Sequence, residues 1–111
     1  MTTFASVRAR LKRLGVDEMI FDRADEIQVS RIVVPKSARG AGVGTEAMKL
    51  LTAYADQGCK RILLTPSKDF GASSVARLKA FYKRFGFVEN KGKHKDWSTK
   101  ETMIRRPSCK L

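Results

Sequence analysis

The chain reads as a single α/β (α+β) domain whose mixed sheet holds a parallel strand pair at its centre, flanked by helices. Three features lead there. Its 111 residues suffice for one modest core. Its apolar residues alternate between helical and strand spacing in the order α-β-β-α-β-α-β-β. In the middle, a strand, a glycine-rich turn, a helix and a second strand follow one another, which requires a right-handed crossover between parallel neighbours.

The elements follow in order. Phe4, Val7, Leu11 and Leu14 form one helical stripe, and Gly15 closes it. The same stretch, FASVRARLKRL, shares the basic, acid-free composition of a transit peptide, but the stripe assigns it to a packed helix. Residues 18–23 and 26–34 read as strands around the polar turn Ala24-Asp25, and Pro35 ends the second. From Thr45 the spacing is helical, with Met48, Leu51 and Ala55 on one face and Gly58 as the stop. RILLT, residues 61–65, reads as a short buried strand ended by Pro66. Ser73 or Ser74 caps a helix carrying Val75, Leu78, Phe81, Tyr82 and Phe85, which Gly86 stops. Residues 87–89 and 102–105 read as a closing strand pair around the polar loop NKGKHKDWSTKE.

The net charge is +12, and it is unevenly placed. Residues 1–26 balance five basic against five acidic side chains, so residues 27–111 carry the whole excess. Such a surface is either a solvated basic face or a match for a polyanion, a phosphorylated cofactor or nucleic acid. Cys59 and Cys109 stand fifty residues apart and His94 is the sole histidine, so no metal site is expected. Two isolated cysteines fit a reduced, cytoplasmic protein. No apolar run approaches the length of a membrane span.

The stretch PKSARGAGVGTEAM, residues 35–48, carries the chemistry. Glycine lets main-chain N–H groups approach a ligand closely, and a helix starting there aims its unpaired N–H groups and positive dipole end at the same point. Together these favour an anion, above all phosphate. A Walker loop needs Lys after its last glycine, and none follows Gly44. A dinucleotide fingerprint needs Gly-x-Gly-x-x-Gly, and here the third glycine comes one residue early. Arg39-Gly-Ala-Gly-Val-Gly44 instead fits Arg/Gln-x-x-Gly-x-Gly/Ala, after a strand and before a helix.

On that motif, and on LKAFYKRFGF at residues 78–87, the sequence resembles the GCN5-related N-acetyltransferase (GNAT) superfamily over residues 26–105. The resemblance implies one acetyltransferase domain: a reduced N-terminal helix and strand (1–25), a CoA-binding core (26–105) and a tail (106–111). It implies acetyl-CoA as cofactor, with the pyrophosphate held by Arg39, Gly40, Ala41, Gly42, Val43, Gly44 and Thr45. Main-chain groups of Ile32, Val33 and Val34 would line the pantetheine arm, and Ser74 stands where the family often has a contacting Asn. Tyr82 would protonate the departing thiolate, against the plainer reading of a core aromatic. Period-2 alternation sets Glu26, Gln28, Ser30, Ile32 and Val34 on one face, and Glu26 is the candidate base, directly or through water. The shortened front implies an open acceptor side, suited to an amine on a macromolecule such as a protein lysine. A homodimer in which a second copy closes that side is the rival. The alternative function is a non-catalytic module whose basic segment, residues 90–106 with Trp97, binds nucleic acid or another acidic partner.

Overall fold

The computed structural model describes residues 3–34, 42–66 and 74–109. Helix α1 (Phe4–Arg13) starts at Thr3, whose hydroxyl accepts from the Ser6 N–H at 3.1 Å, and its apolar stripe buries Val7 and Leu11. Strands β1 (Asp17–Asp22) and β2 (Glu26–Val33) form an antiparallel hairpin. Helix α2 (Val43–Gln57) buries Ala47, Met48, Leu51 and Ala55, the face its spacing foretells. Strand β3 (Arg61–Leu64), helix α3 (Val75–Lys83), strand β4 (Val88–Glu89) and strand β5 (Met103–Arg105) complete the order. The loop before β5 holds one short 3₁₀ turn, Gly92–His94.

The sheet order is β1-β2-β3-β5-β4. The β2–β3 pair is parallel and the other three pairings are antiparallel, so the expected mixed sheet with a central parallel pair is what forms. Ile20, Ile27, Val29, Ile62, Leu64 and Met103 point to one face, where they share a core with Val7 and Leu11 of α1, Met48 and Leu51 of α2 and Tyr82 of α3. The molecule is therefore a slab of two layers, 40 × 35 × 20 Å, with its helices on one side. Met19, Phe21 and Val88, each about half exposed, belong to the other side.

Two expectations need correction. Ile20 pairs with Val29 but Met19 pairs with Arg31, so Ser30 is an extra residue in β2. This bulge resets the alternation: Gln28 shares the helix-free face with Phe21, whereas Ile32, opposite Glu18, packs toward the helix-side core. The five residues 26, 28, 30, 32 and 34 do not share a face. The cysteines are also not free. Cys59 and Cys109 are joined in a disulfide, with Cα atoms 5.6 Å apart. It ties the segment after β5 to the end of α2, beside the bidentate pair of Arg105 with Asp56 at 2.9 and 3.0 Å. Cysteine usage therefore no longer argues for a reducing compartment.

Candidate active site

The site lies where the parallel pairing ends. β3 pairs with β2 only from Glu26 to Val29, while β2 runs on to Val33 alongside β1. β3 ends at Leu64, so beyond Val29 strand β2 runs on without a strand partner on that side among the described residues, and the sheet forks. Arg31 and Val33 are paired toward β1, so alternation turns the main-chain N–H and C=O of Ile32 into the resulting fork.

At the mouth of the fork α2 begins. Its N-cap is Gly42, at φ +78°, with no side-chain cap and nothing within 4 Å of where a Cβ would stand. The Glu46 N–H is the first to close on the Gly42 carbonyl, at 3.0 Å. Among the described residues, the N–H groups of Val43, Gly44 and Thr45 thus have no acceptor, and they point along the helix axis with the positive end of its dipole. This fits a pyrophosphate. Gly44 admits close packing: a Cβ there would meet the Phe81 ring at 3.5 Å and Val34 Cγ2 at 3.7 Å. The end of β2, the start of α2 and α3 therefore converge. Arg39, Gly40 and Ala41 lie outside the described residues.

Tyr82, next to Phe81, is 6% exposed and stacks edgewise between Phe81 and Phe87, with centroids 5.5 Å from each. Burial raises its pKa, so the phenol keeps its proton at neutral pH. Its hydroxyl makes no hydrogen bond among the described residues. A core tyrosine normally finds such a partner, so this proton is available to a ligand. Ser74 is the N-cap of α3, its hydroxyl accepting from the Arg77 N–H at 3.3 Å. Its observed role is to start the helix that carries Tyr82.

Glu26 lies elsewhere. It opens β2 three residues before the fork, about 10 Å away. Its carboxylate accepts from Arg61 at 2.8 Å and faces Arg23 at 3.8 Å. Arg61 also pairs with Asp96, whose carboxyl sits near 2 because Ser98 and then Arg61 favour the anion. This is a structural clamp between the sheet and the loop before β5.

A different carboxylate stands at the fork. Glu101 accepts from Gln28 Nε2 at 3.3 Å and from the Thr65 hydroxyl at 2.5 Å. Gln28 is one residue before β2 departs, and Thr65 is the first residue of its segment beyond the pairing. Both lie on the helix-free side, opposite Tyr82 and its core. The sequence offered no signal for Glu101, because its partners lie 73 and 36 positions away. Trp97 is 81% exposed with Lys95 Nζ 4.2 Å above its ring.

The chain matches the acetyltransferase (GNAT) domain family over residues 7–89, well over half its length, and it belongs to that family. A search of curated protein sequences found no match. Among solved structures it is similar to Ard1 from Thermoplasma volcanium, 18% identical with a TM-score of 0.52 over 83% of this chain and 61% of that one. It is also similar to a histone acetyltransferase HPA2 and related acetyltransferase from Corynebacterium glutamicum ATCC 13032, 27% identical with a TM-score of 0.51 over 90% of this chain and 52% of that one. The chain thus spans between half and two thirds of the length of these two structures.

Proposed function

We propose that this domain moves an acetyl group from acetyl-CoA to a primary amine that approaches from the helix-free side of the sheet. The observation that carries the reading is the bare start of α2 beside the end of the β2–β3 pairing, where the N–H groups of Val43, Gly44 and Thr45 have no acceptor among the described residues. Acetyl-CoA, when bound, supplies the acetyl group as an activated thioester. Val43, Gly44 and Thr45 hold its pyrophosphate through main-chain N–H groups, with Arg39 adding charge. Ile32, Val33 and Val34 line its extended arm, and an N–H there polarises the acyl carbonyl. Tyr82 gives its proton to the leaving sulfur from the helix side.

The attacking amine must lose a proton on the opposite side. Glu101 is the carboxylate that stands there, held by Gln28 and Thr65, and we assign it that step in preference to Glu26. We assign the acceptor amine to a lysine on a macromolecule, because a small amine needs an enclosing pocket. Calorimetry with acetyl-CoA, followed by turnover on lysine peptides and on a panel of small amines, tests the reading. Failure to bind acetyl-CoA would overturn it, and label entering small amines alone would overturn the macromolecular acceptor.

A further inference from the structure

β1 is an edge strand of the sheet. Its ladder with β2 turns the main-chain groups of Phe21 and Met19 inward, so those of Glu18, Ile20 and Asp22 point away from the sheet. Met19 and Phe21, 45% and 47% exposed, project from the helix-free face of the same strand. Asp17 and Arg23 bracket them on that face, with side chains 63% and 56% exposed. On the helix side, Glu18 is bound by Arg8 at 2.8 Å, yet its Oε2 is buried with no hydrogen-bond partner.

We infer that a second copy of this chain covers this edge: β1 pairs antiparallel with the partner's β1 about a two-fold axis through Ile20. Residues then oppose one another in pairs whose numbers sum to forty. This register sets the outward groups of Glu18, Ile20 and Asp22 against those of the partner's Asp22, Ile20 and Glu18, closing a hydrogen-bonded ladder. Met19 meets the partner's Phe21, and Phe21 the partner's Met19, at the closer non-hydrogen-bonded positions where side chains touch best. Asp17 meets the partner's Arg23, and Arg23 the partner's Asp17.

Glu18 comes opposite the partner's Asp22. Each is already balanced within its own chain, Glu18 by Arg8 at 2.8 Å and Asp22 by Lys60 at 2.5 Å. Arg8 donates to the Ile20 carbonyl at 2.8 Å from the helix side and leaves its second lone pair for the partner. A slip of one residue would set Met19 and Phe21 against core-side positions, so the register is specified by charge and apolarity together. The result is one continuous sheet through two molecules, a self-complementary interface independent of acetyl transfer.

Sedimentation velocity on the full chain tests this. The weight-average mass should rise from the monomer value of 12.4 kDa toward twice that as concentration increases into the hundreds of micromolar, roughly the range an interface of one strand edge supports. Phe21→Lys, a surface change, should leave the protein monomeric throughout. Asp17→Arg and Arg23→Asp should each weaken association about tenfold by facing like charges, and the double swap should restore it. A wild-type mass that stays at the monomer value would overturn the proposal. So would a dimer indifferent to Phe21→Lys, or one that the charge swap fails to restore while circular dichroism shows every variant folded.

Discussion

Replacing Gly42 by Asp puts the anion cradle to a direct test. Gly42 sits at φ +78°, where a residue with a Cβ pays about 1–2 kcal/mol, Asp and Asn being the least penalised. Nothing stands within 4 Å of the new Cβ, so no clash adds to that cost. A domain of ordinary stability survives it. The ligand loses far more. The new carboxylate lies at the start of α2, where Val43, Gly44 and Thr45 offer their N–H groups. One unit charge about 4 Å from a phosphate charge, at the effective dielectric of a protein surface, opposes binding by about 4 kcal/mol. Acetyl-CoA affinity should therefore fall about a thousandfold by calorimetry, while the melting temperature drops by only a few degrees. Gly42→Asn separates charge from backbone strain: it pays the same conformational cost but should keep most of the affinity. Undiminished binding by Gly42→Asp would refute the assignment of this helix start as the cofactor site. Equal losses from Asp and Asn would refute the electrostatic reasoning.

Tyr82→Phe removes a hydroxyl that has no partner, so stability should hardly change, whereas turnover should fall about 10²-fold or more with acetyl-CoA affinity retained; unchanged turnover would reduce Tyr82 to packing. Glu101→Gln keeps both hydrogen-bonding neighbours but cannot accept a proton, so kcat/KM should fall about 10²-fold near neutral pH and recover partly as pH rises and the amine deprotonates unaided. Glu26→Gln should leave turnover near wild type, read in the same assay. The Asp56 carboxyl is held below its usual range chiefly by Arg105, with the Ser108 N–H also favouring the anion. Its contribution is therefore present above the unfolded value near 3.8 and is lost as pH falls through the folded one. Asp56→Asn should lower stability by about 1–3 kcal/mol at pH 7 in urea unfolding, with the gap to wild type closing in acid. Reducing the Cys59–Cys109 disulfide, which closes a loop spanning fifty positions, should cost about 2–4 kcal/mol in the same measurement.

Much of this architecture was written locally. The stripe of Phe4, Val7, Leu11 and Leu14, the Met48-Leu51-Ala55 face and the Ser74 cap each depend on neighbours within a few positions, and each formed as its spacing foretold. The start of α2 at Gly42 was legible for the same reason, since a positive φ and a bare helix start are properties of consecutive residues. Tyr82 was legible as a position but not as a state. Its burial and the absence of a partner for its hydroxyl come from Phe81, Phe87 and the sheet beneath.

What only the tertiary structure decided is whatever rests on distant contact. The bulge at Ser30 is invisible to a rule of strict alternation, because it arises where β1 and β2 disagree by one residue. That single residue moved Ile32 off the face assigned to it. Glu26 and Glu101 are both acids at strand ends, and nothing adjacent distinguishes them. Arg61 claims one for the sheet's far end, while Gln28 and Thr65 hold the other at the fork. The disulfide likewise joins residues that the chain separates widely. Local spacing can specify an element, but the pairing of side chains across a sheet is set only when the whole core closes around it.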